Sequence, residues 1–96
     1  MRIKYTLPAS GDLENILDYL ESKSLQGFRS VGWRIKAIEK LLVQFPLSGS
    51  LTRLSWLRKI VVTPYPYLIF YEIKGDEIIV HAVRYSSRRS SSMPDA

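Results

Sequence analysis

Chemistry in this chain would have to come from cations and phenols, because the usual nucleophiles and metal ligands are absent or isolated. Fourteen Lys and Arg residues outnumber nine Asp and Glu, there are six tyrosines and one histidine, and there is no cysteine. The missing cysteine excludes both a disulfide framework and a thiolate metal site. His81 lies inside an apolar run with no Asp or Glu at ligand spacing in the sequence, so it reads as a partly buried or edge residue. The serines from Ser86 to Ser92 contain no Gly-x-Ser-x-Gly elbow and no base partner, and they read as tail. No phosphate-binding loop, metal set or nucleic-acid motif is present, so no cofactor or metal is expected. What remains is positive charge concentrated between Leu57 and Arg89, in a chain of formal net charge +5. Such a balance favours acidic partners without naming one: nucleic acid, an acidic protein segment or a ribosomal surface would each fit.

The elements that must position these groups are legible in the pattern. Ile3, Tyr5 and Leu7 alternate with Arg2, Lys4 and Thr6, the period of a half-buried strand. From about Pro8 to Ser22, Leu13, Ile16, Leu17 and Leu20 fall at helical spacing, with Asp12, Glu14, Asp18 and Glu21 on the remaining face. The acidic residues suit the positive end of a helix dipole, and Gly11 weakens the helix start. A connection over Ser24-Leu25-Gln26-Gly27 leads to the strongest periodic signal, the stripe Phe28, Val31, Ile35, Ile38, Leu42 and Phe45. Its outer face is basic, through Arg29, Arg34, Lys36 and Lys40, and so opposes the acidic first helix. Two helices joined so closely must pack antiparallel.

Phe45-Pro46 ends the second helix, and residues 46–50 form a loop. Three strands follow: Ser55 to Val62, Tyr67 to Ile73 and Glu77 to Tyr85. Thr63-Pro64-Tyr65-Pro66 makes the first turn, and Lys74-Gly75-Asp76 the second, with Gly75 free to take positive φ. The expected fold is α+β, ordered β-α-α-β-β-β, an antiparallel sheet with a helical hairpin packed on one face. Residues 1–89 form one domain and residues 90–96 a flexible polar tail. Trp33 and Trp56 are expected to pack at the helix and sheet margins. Tyr67, Ile69, Tyr71 and Ile73 lie on one side of their strand, Leu68 and Phe70 on the other. The helices can cover only one side, so the second is expected either to keep a few exposed apolar groups or to be a cationic docking face for another chain. No apolar run approaches the ~20 residues of a membrane span, and no signal peptide opens the chain, so a cytoplasmic location is expected.

Several segments carry a family resemblance through their order and spacing. They are Asp12-Leu13-Glu14-Asn15-Ile16-Leu17-Asp18-Tyr19-Leu20, Phe45-Pro46 with Gly49, Leu57-Arg58-Lys59, Pro66-Tyr67-Leu68-Ile69-Phe70-Tyr71, and Asp76-Glu77-Ile78-Ile79-Val80 followed by Arg88. Over about residues 2 to 89 the chain resembles the RelE/ParE family of type II toxins, on its ParE-like, plasmid stabilisation side. The resemblance implies a cognate antitoxin with a flexible, acidic segment, hence a hetero-oligomer.

It also implies one of two targets. ParE-like members resemble an inhibitor that binds DNA gyrase and needs no chemistry of its own, which makes Arg84, Arg88 and Arg89 candidates for target contact, and Tyr65 and Tyr67 candidates for an aromatic anchor. RelE-like members cut messenger RNA on the ribosome with phosphate-binding cations and a proton-transfer group. Aligned on Arg84-Tyr85, that branch's closing His-Tyr pair becomes Ser86-Ser87 here, and its strand arginine becomes Leu68. The remaining set, Arg58, Lys59, Arg84 and Tyr85, could hold RNA. A detoxified relative keeping only antitoxin binding is a third implication. The expectation is therefore a non-catalytic, gyrase-directed toxin, with the ribonuclease as alternative.

Overall fold

The structure, a computed structural model, describes residues 1–86. Strand β1 spans Arg2–Tyr5, helix α1 Leu7–Lys23 and helix α2 Leu25–Gln44. A 3-10 turn at Pro46–Ser48 then leads to strands β2 (Ser50–Leu51), β3 (Arg58–Val61), β4 (Tyr67–Lys74) and β5 (Glu77–Tyr85). The five strands form one sheet in the order β1-β5-β4-β3-β2. From β2 to β5 neighbours are antiparallel, and β1 joins β5 in parallel. The sheet is thus mixed rather than wholly antiparallel: the hairpin of helices carries the chain to the far edge, and the meander returns to β1 running in its direction.

The helices begin and end for local reasons. Thr6 caps α1, its Oγ1 accepting from the Ala9 amide at 3.1 Å. The helix therefore starts earlier than its apolar period suggests, no acidic residue lies in its first turn, and Gly11 is interior. Ser24 alone joins the helices. Its amide donates to Leu20 O and closes α1, while its Oγ accepts from the Gly27 amide at 3.1 Å and opens α2. One residue does what a four-residue connection was expected to do. Glycine inside a helix costs about 1 kcal/mol relative to alanine, and Gly11 and Gly32 both carry this cost although a Cβ at either would meet nothing within 4 Å.

The main core lies between helices and sheet. Val31, Ile35, Ile38 and Leu42 of α2 and Ala9 of α1 pack on Ile69, Tyr71, Ile78, Val80 and Val83. Phe28 and Phe45, the ends of the α2 stripe, are half-buried and exposed respectively. Opposite β4, Phe70 faces Ala82 and Tyr71 faces Val80, so His81 is the extra residue of a β-bulge. The bulge shifts the alternation and lets Val80 and Val83 both reach the helix side.

The second face of the sheet is not bare. The segment before β3 folds over it, and Leu57, Leu68, Phe70 and Ala82 form a second buried cluster with Leu54 against it. This is why β3 begins at Arg58 rather than Ser55. The covering segment is tied by Thr52 Oγ1 donating to Leu57 O at 2.8 Å and by the Leu57 amide donating to Leu54 O at 3.0 Å. The chain's own residues thus seal the centre of the face expected to be an open cationic surface.

Three buried or half-buried phenols give the fold an alkaline limit. Burial raises the pKa of Tyr5, and its hydrogen bond to Glu39 and that carboxylate's charge raise it further. Burial also raises Tyr67 and Tyr71; for Tyr71 the Gly49 amide and Arg58 pull the other way. Near pH 10 the unfolded chain releases protons that the native state retains. Stability is therefore complete below the ordinary phenol pKa and falls as pH rises above it, by up to about 1.4 kcal/mol per pH unit for each such phenol. The melting temperature should be level from neutrality to about pH 9 and drop beyond pH 10. Tyr5→Phe should flatten that drop; an unchanged slope would assign it elsewhere.

Candidate functional site

The expected site residues do not converge. Arg58 pairs with Tyr71 on β4, and Arg84 pairs with Leu68. Residues 68 and 71 point to opposite faces of β4, and Arg58 shares the face of Tyr71. Three residues along the strand and two strand spacings separate the two arginines, about 14 Å between backbone positions.

Each arginine also has a structural partner. Arg58 Nη1 donates to Gly49 O at 2.8 Å. Arg84 Nη1 forms an ion pair with Asp12 Oδ2, which also accepts from the Val83 amide at 3.0 Å. Strand β1 ends at Tyr5, so the far half of β5 is a sheet edge, and Asp12 caps it. Asp12 is thus an edge clamp, a role that helical periodicity gives no sign of.

Tyr67 and Tyr85 do meet, with ring centroids 5.8 Å apart and planes at 66°. Tyr67 is buried at 7% exposure, whereas Tyr85 is 57% exposed. The aromatic surface at this end is therefore Tyr85 with Tyr19, itself 60% exposed and lying under the Lys23 ammonium at 5.6 Å. Tyr19 is close enough to Tyr67 to add to the rise in its pKa. Tyr65 sits elsewhere, half-buried beside Trp33, Arg34 and Pro64 at a wide hollow. Arg34 Nε donates to Thr63 O and fixes that turn. Lys59 lies on the second face opposite Phe70. Arg88 and Arg89, and the tail, lie outside the described residues.

His81 has a carboxylate after all. Its Nε2 is 2.8 Å from Glu72 Oε1, and its ring meets the Trp56 edge at 5.4 Å. The pairing crosses the β4–β5 hairpin diagonally, since the residue opposite Glu72 is Ile79, two positions before His81. Trp56 packs as expected, half-exposed. Trp33 does not, since it stands 78% exposed on α2. It rims a groove of about 670 Å³ on the outer side of the helical hairpin, whose floor includes Leu13, Leu17, Phe28 and Gly32. Among the described residues no group of three His, Asp or Glu could hold a metal ion, and no helix is long and apolar enough to cross a membrane.

These features define a small α+β protein in which, among the described residues, the candidate cations Arg58 and Arg84 do not converge on one site. Residues 3–90 match the sequence model of the ParE toxin of the parDE type II toxin–antitoxin system. The chain belongs to that family. It is similar to Y4kP of Sinorhizobium fredii (strain NBRC 101917 / NGR234), named as a candidate toxin, with 33% identity over 75 residues and 78% of each chain covered. Its fold matches a solved structure described as a chromosomal ParDE TA system from P. aeruginosa. The TM-score is 0.70 at 21% identity, over 91% of this chain and 97% of the other.

Proposed function

We propose that this chain arrests growth by binding DNA gyrase, without chemistry of its own, and that a cognate antitoxin neutralises it in a hetero-oligomer. The family match over residues 3–90 carries the reading. The geometry supports the non-catalytic branch: Arg58 and Arg84 stand on opposite faces, and Leu68, in place of a strand arginine, is buried under Leu54 and Leu57. Tyr19, Tyr85 and Arg84, gathered at the outer end of β5, are the surface for target contact. Exposed tyrosines beside an arginine are the composition of interface hot spots.

Expression of the chain alone should arrest growth, and co-expression of the adjoining small open reading frame should restore it. Purified chain should inhibit gyrase supercoiling. Tyr85→Ala should weaken inhibition by about tenfold or more with little change in melting temperature. Cleavage of messenger on programmed ribosomes, lost in Arg84→Ala while supercoiling is unaffected, would replace this reading with a ribonuclease.

A further inference from the structure

We propose that the hollow between α2 and the turn at residues 63–66 binds one unpaired base and its phosphate from a single-stranded nucleic acid, a reading independent of the gyrase proposal above. Its helical wall carries Arg29, Ser30 and Trp33, four and three residues apart and so on one face of α2. Arg34 stands next to Trp33, and Pro64 and Tyr65 form the facing wall. The space is about 480 Å³, within the ~300–1,000 Å³ of ligand sites. Its two arginines are joined by no carboxylate among the lining residues, so the local field favours an anion.

The facing wall is held in place before any ligand arrives. Arg34 Nε donates to Thr63 O at 2.5 Å, the Tyr65 amide donates to Val62 O at 2.8 Å, and the Tyr65 side chain packs on the main core. Trp33, by contrast, is unused by the fold. It is 78% exposed and makes no ring, cation or hydrogen-bond contact among the described residues. Among the same residues Arg29 has no hydrogen bond or ion pair, and Arg34 engages only its Nε. An open indole face stacks on any base, and a guanidinium beside it takes phosphate in a bidentate pair. A chain of carboxylates would satisfy the arginines and leave the indole bare, whereas a nucleotide carries the flat ring and the anion in one unit. In a duplex both faces of each base are already stacked, so the strand must be single.

The probe is a short labelled oligothymidylate, titrated with the purified chain by fluorescence anisotropy at low salt. It should bind the wild-type chain, and Trp33→Ala should weaken binding about tenfold, the loss of one stacked base, without lowering the melting temperature. Trp33→Phe should recover most of that loss. Arg29→Gln should weaken binding by at least about threefold and reduce the salt slope by about one. Lys74→Gln removes the same charge at the far end of β4 and should bind within about twofold of wild type. Binding to a duplex of the same length should be unchanged in Trp33→Ala, because no base face is free there. Oligouridylate titrated in parallel identifies the source: equal affinity assigns the hollow to either kind of strand, and a tenfold preference to the tighter one. No binding to either strand, full binding to Trp33→Ala, an equal loss in Arg29→Gln and Lys74→Gln, or an oligoglutamate that binds as tightly would each overturn the proposal. Gyrase supercoiling tests the functional reading separately, so failure of one is distinguishable from failure of the other.

Discussion

Gly49→Ala is expected to cost about 2 kcal/mol and to lower the melting temperature by about 8–16 °C. The reason is space, not backbone freedom, since Gly49 has an ordinary φ of −78°. A Cβ there would stand 2.6 Å from Tyr71 Oη, and 2.7 Å from both Tyr71 Cε1 and Lys59 O. None of these can retreat. Tyr71 is fully buried, accepts from the Gly49 amide at 2.9 Å and donates to Pro46 O at 2.7 Å. Arg58 holds the Gly49 carbonyl from the other side. One phenol and one guanidinium thus fasten the loop from α2 to β2 onto the sheet. Tyr71→Phe should cost about 1–3 kcal/mol by leaving a buried amide and carbonyl unpaired. The double variant should fall short of the sum, because the hydroxyl removed is also the atom the new methyl strikes. Thermal melting and urea midpoints measure both. A shift of under about 3 °C for Gly49→Ala would mean that the loop yields and that this description of the lock is wrong.

Leu57→Ala should cost about 2–5 kcal/mol, a core-sized loss from a residue that belongs to no strand or helix. Leu57 is fully buried against Leu68, Phe70 and Ala82 and holds the segment that covers the second face. Its truncation should open that segment before the rest. Hydrogen exchange should show early loss of protection at the Leu57 amide, with α1 and α2 unchanged while the fold persists. Uniform loss of protection across the chain would show that the second cluster is part of one cooperative core.

Both helices and the β4–β5 hairpin were legible because their signals are local. The stripe through Val31, Ile35, Ile38 and Leu42 needs only a period, and Gly75, with φ at 62°, needs only a turn. The two-residue strand β2 was not legible, since Ser50-Leu51 has no pattern of its own and is a strand only because Lys59 and Arg58 lie beside it. Candidate site residues fared worse than elements. Arg58, Arg84 and Tyr67 look alike as exposed candidates in the chain, yet the first two are engaged by Gly49 and Asp12 and the third is buried beneath Tyr85. Asp12 and Arg84 are 72 residues apart, and no local window spans that distance.

Sequence alone therefore determined the α+β class, the acidic and basic faces of the two helices, the cationic character of the last third and the family. Those properties depend on side-chain type and short-range period, which the chain carries in any conformation. The tertiary structure decided that β1 runs parallel to β5, that Leu54 and Leu57 seal the second face, and which cations hold the fold. It also set Trp33 of α2 across a hollow from Pro64 and Tyr65. Each of these rests on contacts between residues distant in sequence, whose geometry exists only once helices and sheet have packed.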